Sequence, residues 1–157
     1  LSRGLGDVYK RQALIFKQTR RIYMSDCDPA GIVFHPQYFV MITELMEDFY
    51  REAGMTFKSA LDQGIGFPIG GIRCDFCRPS ALGDKVTLTM WVEHVGKSAF
   101  RFAIEIVGDD GARVRCTETV VCVKVGTAAN ALSSYPIPED FREVLLRYKG
   151  EALTLHD

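Results

Sequence analysis

PQYFVMITELMEDFYREAG, residues 36–54, carries apolar side chains at Tyr38, Phe39, Ile42, Leu45, Met46, Phe49, Tyr50 and Ala53. Spacings of three and four predict a helix, because 3.6 residues per turn bring such positions onto one face. Pro36 suits the first helical position, where its missing N–H would have no partner, and Gly54 suits the stop. The helix should run for about 18 residues and about 27 Å. Val40 and Met41 fill the opposite face of its first turns, so its beginning is expected to be apolar nearly all round and buried.

Working outward, ALIFKQTRRIYM (13–24) has a two-residue beat in its second half and reads as a first strand. SDCDPAG must end it, since Asp, Pro and Gly each favour turns. Downstream of the helix, a loop rich in glycine (Gly64, Gly66, Gly70, Gly71) precedes four expected strands: 71–78, 85–95, 98–107 and 112–125. ALGD, VGKS and GDDG are their connections, and Phe100, Phe102, Ile104 and Ile106 alternate with Arg101, Ala103, Glu105 and Val107. A short helix over 138–148, led in by an extended 133–138, closes the chain. This order predicts an α+β hotdog fold, a curved antiparallel β-sheet wrapped around a long central α-helix. Such a sheet leaves an edge exposed, so a homodimer or homotetramer is expected.

The 157 residues, 47% hydrophobic and 25% charged, suit one domain with a real core, placed at 13–150 with a tail at 151–157. LSRGLGDVYKRQ (1–12) fits neither a targeting peptide nor the following strand, and DVYKRQ resembles a translated transposon-end sequencing adaptor. It is expected to be a non-native artefact. The net charge of −1 argues against a nucleic-acid partner. Five scattered cysteines suggest reduced thiols and a cytoplasmic protein. No apolar run approaches the roughly 20 residues that span a bilayer, so no membrane insertion is expected.

Chemistry concentrates in Asp26, Cys27, Asp28, Pro29, Ala30, Gly31, His35 and Pro36. The N-terminus of a buried helix presents unpaired N–H groups and positive potential, which stabilise the oxyanion formed during acyl transfer. A carboxylate just upstream either attacks the carbonyl or deprotonates a water, and Asp28 is placed to do so. The other reading is that Asp28, like Asp26, bonds turn amides. His35 can cap the helix, contact substrate or assist as a base, and its backbone N–H is the functional part favoured here.

SDCDPAGIVFHPQYF (25–39) resembles the active-site signature of the 4-hydroxybenzoyl-CoA thioesterase family, in the branch whose catalytic Asp precedes the central helix. The resemblance implies an acyl-CoA thioesterase with Asp28 as its catalytic carboxylate and the N–H of His35 polarising the thioester. No metal or redox cofactor is implied, and the partner is the acyl-CoA substrate. His35 stands where aryl-specific members have an aromatic residue, as in the branch acting on short or varied acyl-CoAs. Of the family's basic triplet between its third and fourth strands only Lys97 matches, as a nucleotide contact from the same or a neighbouring subunit or as an ordinary hairpin lysine. Tyr38 and Phe39 are the expected acyl-pocket residues, or plain core. The branch that uses a helix-borne Glu would point to Glu44 or Glu47.

Two rivals remain at this level: a hotdog hydratase or dehydratase, and a non-catalytic acyl-CoA-binding module. CDFC at Cys74 and Cys77 invites a redox or zinc reading, but strand residues three apart face opposite sides and no second ligand pair follows. Structural thiols are expected there.

Overall fold

The long helix forms as α1 (His35–Glu52) in the computed structural model, which describes residues 13–126 and 132–156. It begins and ends one residue earlier than its spacing suggests. Pro36 still sits in the first turn, where no intrahelical N–H bond is lost. At the far end Gly54 adopts φ 78°, and the N–H groups of Gly54 and Met55 donate to Arg51 and Tyr50. That left-handed closure satisfies last-turn carbonyls and admits glycine readily.

Five strands build the main sheet: β1 (Phe16–Arg21), β3 (Ile69–Phe76), β4 (Lys85–Val95), β5 (Ala99–Gly108) and β6 (Gly111–Val121). Their spatial order is β1-β4-β5-β6-β3, antiparallel throughout. A smaller sheet joins β2 (Ile65–Gly66), β7 (Val123–Val125) and β8 (Leu132–Ser134) in the order β2-β7-β8. Two short helices, α2 (Phe57–Asp62) and α3 (Glu139–Arg147), complete the chain. The alternation of β4 to β6 sends Val86, Leu88, Met90, Val92, Phe100, Phe102, Ile104, Ile106, Val114, Cys116 and Val120 inward. They meet Tyr38, Met41, Ile42, Leu45, Met46, Phe49 and Tyr50 of α1. Aromatic rings fill the centre, with Phe49–Phe102 and Tyr50–Phe67 centroids each 5.4 Å apart. This is the hotdog plan.

Several details depart from the sequence reading. The first strand stops at Arg21, and Met24–Asp26 forms a 3-10 turn. The glycine-rich stretch is not all loop: α2 precedes it, capped by Thr56, whose hydroxyl accepts from the Ser59 N–H at 3.0 Å, and Gly66 lies in β2. The strand expected over 112–125 divides at Cys122, whose N–H turns to Ser98 O at 2.6 Å, and β7 then joins the second sheet. The start of α1 is not buried all round: Val40 is 46% exposed and Phe34, just before the helix, 49%. The concave sheet covers only one side of the first turns.

The expectation for residues 1–12 lies outside the described residues. The tail, described to His156, crosses the outer face of the sheet. Glu151 O accepts from Trp91 Nε1 (2.7 Å), Leu153 N donates to Glu93 (2.8 Å) and His156 N donates to Asp75 (2.7 Å). No helix among the described residues is long and apolar enough to cross a membrane.

Phe102 is fully buried and touches three other rings. Phe102→Ala should destabilise the protein by about 3–5 kcal/mol, whereas Leu146→Ala, on an exposed face of α3, should cost under about 1 kcal/mol. Equilibrium urea unfolding checks both.

Candidate active site

The DCDPAG segment folds back on itself as a tight hairpin. The Gly31 N–H donates to Asp28 O (3.0 Å), the Asp28 N–H donates to Ile32 O (2.9 Å), and Gly31 has φ 79°. Pro29 supplies a fixed φ in the turn, and Gly31 supplies the left-handed position that closes it. The Cys27–Val33 bridge and the Phe34 N–H to Asp26 O bond (2.9 Å) bring both ends of the loop together. Further bonds, Val33 N to Ser80 O (2.9 Å) and Leu82 N to Gly31 O (3.0 Å), fix the loop to the turn before β4.

Asp26 is the scaffold of this loop, as its turn-forming reading expects. It is buried, and its Oδ2 accepts from the Tyr23 N–H and from Arg20 Nη2, each at 2.8 Å. Asp28 is only half-buried, and its Oδ1 accepts from the Ala30 N–H at 2.8 Å. That bond holds the carboxylate in one orientation, with Oδ2 making no hydrogen bond to another described residue. Between the two, burial and then the charges of Asp26 and Asp28 push the Cys27 thiol up, which disfavours a thiolate nucleophile.

His35 opens α1, and its backbone N–H has no acceptor among the described residues. The amide therefore presents an unpaired donor at the positive end of the helix, beside the loop that carries Asp28. The His35 ring is exposed and packs edge-on to Phe34 (5.4 Å) and Phe76 (6.1 Å). Tyr38 and Phe39 also meet Phe76, at 5.9 and 6.4 Å. The buried Tyr38 hydroxyl has no partner among the described residues. Phe76, at the end of β3, thus gathers three of the expected site residues, yet nothing in its local sequence pattern marks it.

Lys97 is not part of this group. The Asp28 loop lies at the start of β4, whereas Lys97 follows its end, in the turn to β5. Eleven residues of strand separate them, about 35 Å at the usual rise. Glu44 and Glu47 lie on the exposed face of α1, Glu44 reaching Arg20 at 3.8 Å. Cys74 faces Cys116 across the β3–β6 pairing, while Cys77 is exposed.

Glu118 of β6 went unremarked in the sequence reading. It is 2% exposed, and burial pushes its carboxyl up to about 7. Its charge adds to burial in raising the Tyr50 phenol, whose hydroxyl has no partner among the described residues. Cys74 of β3 and Cys116 of β6 also feel this carboxyl.

Comparison with known proteins bears on the family and the fold. The model of the thioesterase-like superfamily matches residues 22–145. A 1,4-dihydroxy-2-naphthoyl-CoA hydrolase of Nostoc punctiforme is 22% identical over 87% of this chain and 90% of its own length. The acyl-CoA thioesterase YbgC of Haemophilus influenzae is 23% identical over 68% of this chain and 79% of its own. Among solved structures, a 1,4-dihydroxy-2-naphthoyl-CoA thioesterase from Synechocystis superposes with a TM-score of 0.76 at 20% identity, covering 85% of this chain and 96% of that one. At such identity the superposition speaks for the fold.

The Glu118 environment generates a pH test. A carboxyl whose folded value is raised keeps its proton longer in the native state than in the unfolded chain. Its contribution is therefore favourable below the ordinary value and is lost as pH rises from about 4.3 through about 7. Glu118→Gln should remove that loss, gaining about 3 kcal/mol relative to the parent between pH 5 and pH 8. Guanidinium denaturation of both proteins at the two pH values measures it; parallel pH slopes would contradict the assignment.

Proposed function

We propose, from the premise that the chain belongs to the thioesterase-like superfamily and is an acyl-CoA thioesterase, that it opens the thioester with Asp28 against an oxyanion site at the N–H of His35. The observation that carries this reading is the unpaired amide at the head of a long helix, beside a carboxylate oriented by its own turn. The thioester carbonyl accepts from the His35 N–H as negative charge develops on its oxygen. Asp28 then either attacks the carbon directly or removes a proton from a water that does. In the first route the Asp28–acyl C–O bond forms as the C–S bond breaks, and water then cleaves that anhydride to return the carboxylate; in the second the water oxygen bonds the carbon as the C–S bond breaks, and in both water supplies the oxygen of the free acid and the proton of the CoA thiol. The acyl group lies against Tyr38, Phe39 and Phe76, an aromatic wall that suits aroyl as well as alkyl groups. The 4-hydroxybenzoyl-CoA-type branch is supported by the DCDPAG element, and the names of the relatives point to aroyl and acyl CoA esters alike.

The assembly we infer is a homodimer joined through β3. That strand is an outer strand of the sheet order, and Ile69, Ile72 and Phe76 are exposed along it. Antiparallel pairing of two β3 edges would set the Ile69 end of one copy beside the Phe76 end of the other. Ile69 pairs with Val120, whose neighbour Val121 pairs with Ala99 at the Lys97 end of the sheet. Lys97 of a second copy would thereby approach the site that Lys97 of the same chain cannot reach, and meet the nucleotide end of CoA.

Thiol release by residues 13–157 from benzoyl-, 4-hydroxybenzoyl-, short-chain and long-chain acyl-CoA tests the chemistry. Asp28→Asn should lose at least about 100-fold, and His35→Pro, which deletes the N–H, should lose about 100-fold or more and exceed the loss in His35→Ala. Full activity in Asp28→Asn would overturn the mechanism, and no release by the parent on any ester, with tight binding, would favour the binding module. Ile69→Asp should shift the sedimentation coefficient to that of a monomer and lower thiol release with it; an unchanged dimer would place the interface elsewhere.

A further inference from the structure

Glu118 and Tyr50 are two buried polar groups that the chemistry above does not use. The Tyr50 ring packs against Phe67, Phe102 and Phe141, and Glu118 lies directly opposite Phe102 on the neighbouring strand; among the described residues the Tyr50 hydroxyl has no hydrogen-bond partner, and the Glu118 side chain, 2% exposed, makes no hydrogen bond. The other buried charged groups differ in this respect: Asp26 holds Arg20 and a backbone amide, and Arg113 holds Asp84 and Asp110. Leaving a carboxyl and a phenol unpaired in apolar surroundings costs several kcal/mol unless something else pairs with them.

Glu118 lies at the end of an open strip. On the concave side of β3, Ile72, Cys74 and Phe76 are only partly covered, Ile72 being 46% exposed and Phe76 51%. Ile72 lies directly opposite Glu118, Cys74 opposite Cys116 and Phe76 opposite Val114, so these side chains share one face. Phe76 marks the His35 end of the strip and Ile72 the Glu118 end, four residues or about 13 Å apart along the strand.

We propose that Glu118, together with the Tyr50 hydroxyl, is the polar end of the acyl pocket and selects acyl groups that carry a hydroxyl or oxo oxygen remote from the thioester. The inference rests on the thioesterase reading, because the ruler starts at the reacting end beside His35. A protonated Glu118 donates its O–H to such an oxygen and accepts from a hydroxyl through its carbonyl oxygen, while the Tyr50 O–H donates to the same group. The distance suits a hydroxycinnamoyl group or a medium chain with a terminal hydroxyl better than a single benzoyl ring. Selection arises because an acyl group lacking the oxygen leaves the buried pair unsatisfied.

The test compares kcat/KM for thiol release from p-coumaroyl-CoA against cinnamoyl-CoA, and from 8-hydroxyoctanoyl-CoA against octanoyl-CoA, in the parent, Glu118→Leu, Glu118→Gln and Tyr50→Phe. The parent should favour the oxygenated member of each pair, Glu118→Leu should reduce that preference by about tenfold, and Glu118→Gln, whose amide still hydrogen-bonds, should retain part of it. No preference in the parent, or an equal loss on both members of each pair, would overturn the proposal and leave Glu118 a core residue bonded to buried water. Equilibrium binding of the same four esters keeps the two readings separate. Absence of thiol release would sink the thioesterase reading, while the binding preference and its loss in Glu118→Leu would still decide the role of Glu118.

Discussion

The burial of one side of α1 against the concave face of the sheet fixes almost everything else in this molecule. Seven side chains of the helix are buried, and the rings of Phe49 and Tyr50 interlock with Phe16, Phe67 and Phe102. A helix held that firmly has no freedom to slide or rotate, so the position of its first amide is set by packing some turns away. The N–H of His35, which has no acceptor among the described residues, is thus directed by the core that aims the whole helix and by no side chain of its own.

The approach to that helix is held with equal economy. Asp26 ties the end of β1 to the loop through Arg20 and Tyr23, while its own carbonyl receives the amide of Phe34. Asp28 is left to a local bond with Ala30, half-buried at the surface of the same loop. Two aspartates two residues apart thus differ in place: the buried one builds the frame, and the other stays half-buried at its surface. Phe34, Val40 and Phe76 are exposed, Phe76 on β3, an outer strand of the main sheet.

The helix and the inward set of β5 were legible because their periods are long and unbroken, and each such residue obeys the pattern that its element imposes. The DCDPAG hairpin was legible too, since Pro29 and Gly31 leave the backbone few options. What could not be read locally depends on contacts far along the chain. Phe76 joins His35, Tyr38 and Phe39 only because β3 returns beside α1, and the distance of Lys97 from Asp28 follows from the antiparallel run of β4. The break at Cys122 is likewise a tertiary effect, its amide being drawn to Ser98. Glu118 is a different case. Its place in the series Val114, Cys116, Glu118, Val120 was visible as a carboxylate on an apolar face, a conflict between residue type and position that often marks function.

The most direct measurement is a crystal structure of the Asp28→Asn protein with an intact acyl-CoA. The thioester carbonyl oxygen is expected within hydrogen-bonding distance of the His35 N–H, with the acyl group against Phe76. A thioester bound away from the head of α1, or one whose carbonyl meets some other donor, would contradict it.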